Sequence, residues 1–180
     1  MKNKAVSVIL KATFVFYILL MLQLLFRFNP LYFSSFSFNN IVRNYNLIPF
    51  HTIKGYWSGS FGVSLYEATV NLFGNIFVFT PLGLYFQTFY SKKLLRNILL
   101  MLFIPIAVEL LQFTFGVGAL DIDDVILNFT GGMLGILIYK MLSLFMKNSG
   151  KVKTVIAMAA LLVALPALVI VVGTIITMVI

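Results

Sequence analysis

Cysteine is absent from this 180-residue chain, and acidic residues are few: five Asp and Glu against thirteen Lys and Arg. Without cysteine there are no disulfides, no thiolate metal sites and no cysteine nucleophile. There is a single histidine, His51, and no HExxH, GxSxG or P-loop pattern, so no familiar catalytic engine is written in the chain. Charge of either sign is scarce at 10%, while 61% of the residues are hydrophobic and the mean hydropathy is +1.04. A soluble domain of this length needs more charge to cover its surface, so the bulk solvent is lipid. No Pro/Ser-rich linker or long charge run divides the chain, and the expectation is one membrane domain over 1–180.

What is present is long apolar runs. A spanning helix needs about 20 mostly apolar residues, since each adds about 1.5 Å across a core of about 30 Å. Five segments qualify: 5–26, 69–90, 94–115, 121–145 and 154–178. The expected fold class is therefore all-α, a polytopic helical membrane bundle of about five transmembrane helices. The fifth carries no polar motif and reads as an additional C-terminal anchor. Lys2 and Lys4 before the first run suggest a signal peptide, but bulky Leu, Phe and Gln stand where small residues would mark cleavage, so a retained anchor is expected. Lys11, inside that run, must snorkel or face the bundle.

The net charge of +8 does not point to nucleic acid once the charges are placed. Basic residues flank the apolar runs as topology signals, with anionic headgroups as counter-ions. With a cytoplasmic N-terminus, the inner side collects Lys2, Lys4, Lys92, Lys93, Arg96, Lys140, Lys147, Lys151 and Lys153. The outer side keeps Arg27, Arg43 and Lys54. That distribution predicts N-in and, after five spans, C-out. Every carboxylate (Glu67, Glu109, Asp121, Asp123 and Asp124) then falls at or near the outer side. The first outer loop, 27–68, mixes Phe28, Tyr32, Phe33, Phe36, Phe38, Tyr45, Phe50, Tyr56, Trp57 and Phe61 with Ser, Asn and Gly. Such a segment is expected to lie on the outer interface.

The short connection Gly116–Leu120 makes the third and fourth spans an antiparallel hairpin, so residues on its arms can be matched by depth. Glu109 lies about 10 Å below the loop, Asn128 at a similar depth, and Asn75 on the second span about 9 Å below its start at Thr69. These three are expected at one level, with Gln112 a turn above Glu109 and Asp124 above Asn128. On the fourth span Asp121, Asp124, Asn128, Gly131 and Gly135 share an arc of about 80°, while Asp123 points elsewhere. Gly131, Gly132 and Gly135 read as helix-packing residues. The plain alternatives are that Asp121 is a helix cap, that the asparagines are interhelical glue and that His51 is incidental. Glu109 resists a plain reading, because an ionised carboxylate in the span costs about 2.5–3.5 kcal/mol or more. It is either protonated or aimed into an outward-opening polar cleft.

The runs Asn46-Leu-Ile-Pro-Phe50, Asn75-Ile-Phe-Val-Phe-Thr-Pro-Leu-Gly83, Glu109-Leu-Leu-Gln112 and Asp121-Ile-Asp-Asp-Val-Ile-Leu-Asn128, followed by Gly131, Gly132 and Gly135, together resemble the VanZ family over 6–145. The chain departs from that pattern in the loop before the aspartates. Many members carry a basic residue there, and this chain has Gly-Val-Gly-Ala-Leu, so a counter-charge must come from elsewhere in the outer loop. The resemblance implies a bacterial cytoplasmic-membrane protein, multi-pass, with a four-helix core and the fifth helix beyond it. It also implies a link to lowered susceptibility to the lipid-bearing glycopeptide teicoplanin. The expected partners are membrane lipids and a lipoglycopeptide or cell-wall lipid intermediate. No nucleic acid, cofactor or metal is expected.

Two other readings stay open on the residues alone. One is an intramembrane enzyme on lipid-linked or envelope substrates, with Glu109 as general acid/base and the aspartates on a metal. The other is a small transporter with Glu109 as a proton relay.

Overall fold

A computed structural model of the chain describes residues 2–26 and 44–179. Arg27, Arg43 and the aromatic residues Phe28 to Phe38 of the expected outer loop lie outside them. The described residues form α1 (Lys2–Phe26), β1 (Tyr45–Asn46), α2 (His51–Ser58), α3 (Leu65–Phe89), α4 (Leu94–Phe115), β2 (Leu120–Asp121), α5 (Ile122–Met146) and α6 (Ser149–Val179). Five of these helices, all but α2, are long and apolar enough to cross a membrane. The fold is all-α with one two-residue parallel ladder, β1 against β2.

Helix ends follow local chemistry more closely than the hydropathy runs do. The helix α3 begins at Leu65, earlier than the expected 69, because Ser64 and Glu67 form a capping box. The Glu67 N–H donates to Ser64 Oγ at 3.2 Å, and the Ser64 N–H donates back to Glu67 Oε2 at 2.9 Å. Glu67 is exposed, so its carboxylate serves the start of α3. The helix α6 begins at Ser149 where 154 was expected. Asn148 Oδ1 accepts from the N–H groups of Gly150 (2.9 Å) and Lys151 (3.1 Å), closing two free donors. At its end α4 turns on Gly116, whose φ of +67° is the left-handed region that suits glycine, and the Val117 N–H donates to the Gln112 carbonyl at 3.0 Å.

Two compact units are distinguished: 1–21 with 141–180, and 22–140. In the first, Leu10, Val152, Ile156 and Ala157 are buried. In the second, the backbones of α3 and α5 come into contact. A Cβ at Gly131 would overlap the Ile76 carbonyl, one at Gly135 the Thr80 carbonyl, and one at Gly83 the Gly132 carbonyl. The Ile76–Gly131 and Thr80–Gly135 pairs advance along both helices together, so α3 and α5 run in the same direction. Met101 of α4 fills the space in front of Gly132. At the α3–α4 turn, Asn97 Nδ2 donates to Gln87 Oε1 (2.6 Å) and the Tyr90 carbonyl (3.0 Å).

Candidate functional site

The polar residues gather where α1 and α4 end and α3 and α5 begin. Depths counted from Asp121 as a surface residue need correction there. The residues before α5 are extended, so the chain drops about 3.3 Å per residue in β2 instead of about 1.5 Å. Asp121 is therefore already level with Glu109, and its N–H donates to Glu109 Oε2 at 3.2 Å. Likewise Asp124 Oδ1 accepts from Asn75 Nδ2 at 2.6 Å. Asn75 lies about 15 Å along α3 from Leu65, so the first turn of α5 is recessed well below the start of α3. The expected level of Asn75, Glu109 and Asn128 is thus re-sorted: Asn75 meets Asp124, Glu109 meets Asp121, and Asn128 lies a turn deeper.

Irregular backbone in such a position must find partners for its N–H groups. Residues 44–53 obtain them from acidic and amide side chains. The Leu120 N–H donates to the Asn44 carbonyl, which sets the β1–β2 register of Asn46 opposite Asp121. Asn46 Oδ1 accepts from the Ile48 N–H at 3.2 Å, and its Nδ2 donates to Thr52 Oγ1 (3.0 Å) and Asp121 Oδ1 (3.2 Å). Thr52 Oγ1 donates to Asp121 Oδ2. Asp121 also accepts from the Asp123 N–H at 2.9 Å, capping α5.

Asp123 does not point away from this network. It is fully buried and supplies the cap that α2 lacks, since Phe50 at the N-cap position, with φ of +64°, makes no side-chain bond. Asp123 Oδ1 accepts from the Phe50 N–H, and Oδ2 accepts from the N–H groups of Thr52 (2.8 Å) and Ile53 (3.1 Å). Asp123 lies off the α5 stripe that faces α3, as the helical angles expect, and still belongs to the polar network. A second face of α5 meets the start of α2 at residues 50–53.

Gln112 also serves elsewhere. Its Nε2 donates to the Leu25 carbonyl at 2.7 Å, closing the last turn of α1. Asn128 is 1% exposed, and its Oδ1 has no hydrogen-bond partner among the described residues; the same holds for the buried Oδ1 of Asn71. Tyr56 of α2 faces the cluster. Burial and then the Asp124, Asp121 and Glu67 carboxylates hold its phenol above the usual tyrosine range. Sequence reasoning left Asn46, Thr52, Tyr56 and Asn71 out of the site. Only Asn46 carried a signal, as the first residue of the Asn46–Phe50 run.

The carboxylates are thus met by amides, a hydroxyl and backbone N–H groups. Lys54 is exposed, and Arg43, the other candidate counter-charge, lies outside the described residues. Among the described residues no three His, Cys, Asp or Glu side chains group as metal ligands would.

A known protein-family model, VanZ/LLP1, matches residues 14–146. The chain belongs to the VanZ/LLP1 family. Protein VanZ of Enterococcus faecium is 29% identical over 125 residues, covering 67% of this chain and 76% of that protein. The VanZ/LLP1 match takes in α3, α4, α5 and the recessed loop, and it ends where α5 ends, before α6. No solved structure matches. With five apolar helices, the chain is a multi-pass membrane protein of the VanZ/LLP1 family.

Proposed function

We propose that this protein lowers the susceptibility of a bacterial cell to glycopeptide antibiotics such as teicoplanin. In this reading it acts at the outer leaflet of the cytoplasmic membrane through the acidic and amide network, which faces away from the cytosol. Membership of the VanZ/LLP1 family and the likeness to Protein VanZ support the resistance role. The excess of basic residues at the opposite helix ends supports the orientation.

The observation that carries the reading is the recessed non-helical backbone. Such backbone is stable at membrane depth only where protein buries it or where it borders a polar space. Here Glu109, Asp121 and Asp123 accept from its N–H, amide and hydroxyl groups, and Asp124 is held by Asn75 of α3. Beside it, Leu47, Ile48 and Phe50 are exposed and Trp57 is 90% exposed, as side chains in contact with lipid and headgroups would be. A lipid-bearing glycopeptide or a cell-wall lipid intermediate presents the same combination, an acyl chain joined to a polar head.

The test is teicoplanin and vancomycin susceptibility of strains making wild type, Glu109→Gln or Asp124→Asn at matched membrane levels. Wild type raises the teicoplanin concentration needed to stop growth, and Asp124→Asn lowers it towards the empty vector. If all strains equal the empty vector for both drugs, the proposal fails. The enzyme reading gains no support from the aspartates, because Asp121 and Asp123 already spend their oxygens on Thr52, Asn46 and the α2 N–H groups.

A further inference from the structure

The helix α1 carries a charge on a face where spanning helices rarely show one. Lys11 lies about 13 Å along α1 from its start at Lys2, and it is exposed. Ionisable residues within a span almost always face the interior of a bundle, so a lysine on the outside calls for an explanation. At about 100° per residue, Lys4, Ser7, Val8, Lys11, Val15 and Leu19 fall within an arc of about 120°, and every one of them is exposed. Leu10 and Thr13, on the other side of the helix, are buried. Long side chains on a helix lean back toward its N-terminal end, which carries the Lys11 ammonium over Ser7 and towards Lys4. From the N-terminus inward, the exposed face thus presents two ammonium groups with a hydroxyl between them, and then an apolar strip.

Nothing on α1 balances this charge, since the helix has no Asp or Glu. The unit formed by 1–21 and 141–180 contains Lys2, Lys4, Lys11, Lys147, Lys151 and Lys153 and again no Asp or Glu. The five acidic residues of the chain all fall between Glu67 and Asp124.

We infer that this face of α1 binds an anionic phospholipid, with the phosphate held by Lys4, Ser7 and Lys11 and an acyl chain lying along Val15 and Leu19. A phosphodiester offers acceptor oxygens to the three donors and a negative charge to the two ammonium groups. In a lipid that phosphate already sits at headgroup level, so a snorkelling Lys11 meets it without drawing a second charge into the hydrocarbon. An acidic helix of another protein would have to place a carboxylate inside its own span to reach Lys11, which is costly. The inference uses none of the residues of the polar network and stands apart from the resistance role.

The experiment uses purified full-length protein in a non-ionic detergent, with bound lipid counted by native mass spectrometry. Dioleoylphosphatidylglycerol is the probe, and dioleoylphosphatidylcholine, which has the phosphate but no net charge, is the control. Attraction to anionic lipid is worth about fivefold per lysine, so the glycerol lipid should bind about tenfold or more tightly than the choline lipid. Lys11→Gln should weaken it about fivefold, and the double variant Lys4→Gln, Lys11→Gln should bring it to the choline level. Lys93→Gln removes the same charge from an exposed site outside α1 and should change the affinity by less than about twofold. Lys11→Leu leaves an apolar face, so it should fold at least as well as wild type and still lose the preference.

Equal affinity for the two lipids overturns the inference. So does a loss in Lys93→Gln as large as in Lys11→Gln, because any positive charge would then serve. If Lys11→Leu keeps its lipid and instead shifts the monomer–dimer ratio, the face belongs to a second copy of the chain and the lipid is wrong. Inorganic phosphate should not compete; if it displaces the lipid at equal concentration, the acyl chain plays no part and the phospholipid is wrong.

Discussion

Asp123 caps Thr52. A carboxylate in the first turn of α5 closes the N-terminus of α2, 71 residues earlier, by accepting the Thr52 N–H at 2.8 Å, with the Phe50 and Ile53 N–H groups beside it. This contact ties residues 50–53 to the α4–α5 hairpin. It makes one buried acid responsible for three backbone donors that lipid cannot satisfy.

Replacing Asp123 is therefore expected to unfasten α2. Asp123→Ala should cost about 2–4 kcal/mol, because it strands several buried N–H groups at once. Asp123→Asn should cost less, since one oxygen still accepts. Thermal unfolding of the detergent-solubilised protein measures both, and an alanine variant as stable as wild type would contradict the capping role.

Glu109 tests charge apart from geometry. Glu109→Gln keeps an acceptor for the Asp121 N–H and should unfold close to wild type. Glu109→Leu removes the acceptor and should lose about 1–3 kcal/mol. The same unfolding assay separates the two, and equal losses would show that the hydrogen bond to Asp121 is not what Glu109 contributes.

The glycine contact makes a paired prediction. Gly83→Ala or Gly135→Ala forces the α3 and α5 backbones apart and should destabilise by about 1–3 kcal/mol. Gly74→Ala meets nothing within 4 Å and should be neutral or stabilising by up to about 1 kcal/mol. Matched unfolding curves check the contrast, and similar losses at all three positions would remove the close approach as the cause.

Tyr56 supplies a pH signature. Its phenol titrates above the ordinary value of 10.0, because burial and then the charges of Asp124, Asp121 and Glu67 disfavour the phenolate. The folded protein therefore holds this proton longer than the unfolded chain does. The stability linked to Tyr56 is complete below about 10 and is lost as pH rises through the raised value. Ultraviolet difference titration should show a Tyr56 step above the ordinary tyrosine range. That step should vanish in Tyr56→Phe and move earlier in Asp124→Asn; if Asp124→Asn leaves it unmoved, Asp124 is not the neighbour that matters.

How far each part could be read from residues depends on how local its cause is. Gly116 at the end of α4 was legible, and so were the apolar runs. The starts of α3 and α6 were equally local, in Ser64–Glu67 and Asn148, but hydropathy alone passes over caps because they are polar. The partner of Asp123 was not legible for a different reason. Helical angles assign a residue to a stripe, and they do not show that a second stripe of the same helix faces a segment from elsewhere in the chain.

By itself the sequence determined five apolar helices, the family to which the core belongs and the small set of carboxylates and amides available for a site. Those properties follow from transfer free energy and residue identity, which need no partner. Only the tertiary structure decided that Glu109 meets the Asp121 backbone, that Asp123 caps α2 and that Asn128 Oδ1 and Asn71 Oδ1 are buried with no partner among the described residues. Each of these depends on where an extended two-residue strand places α5, and so on contacts between residues far apart in the chain.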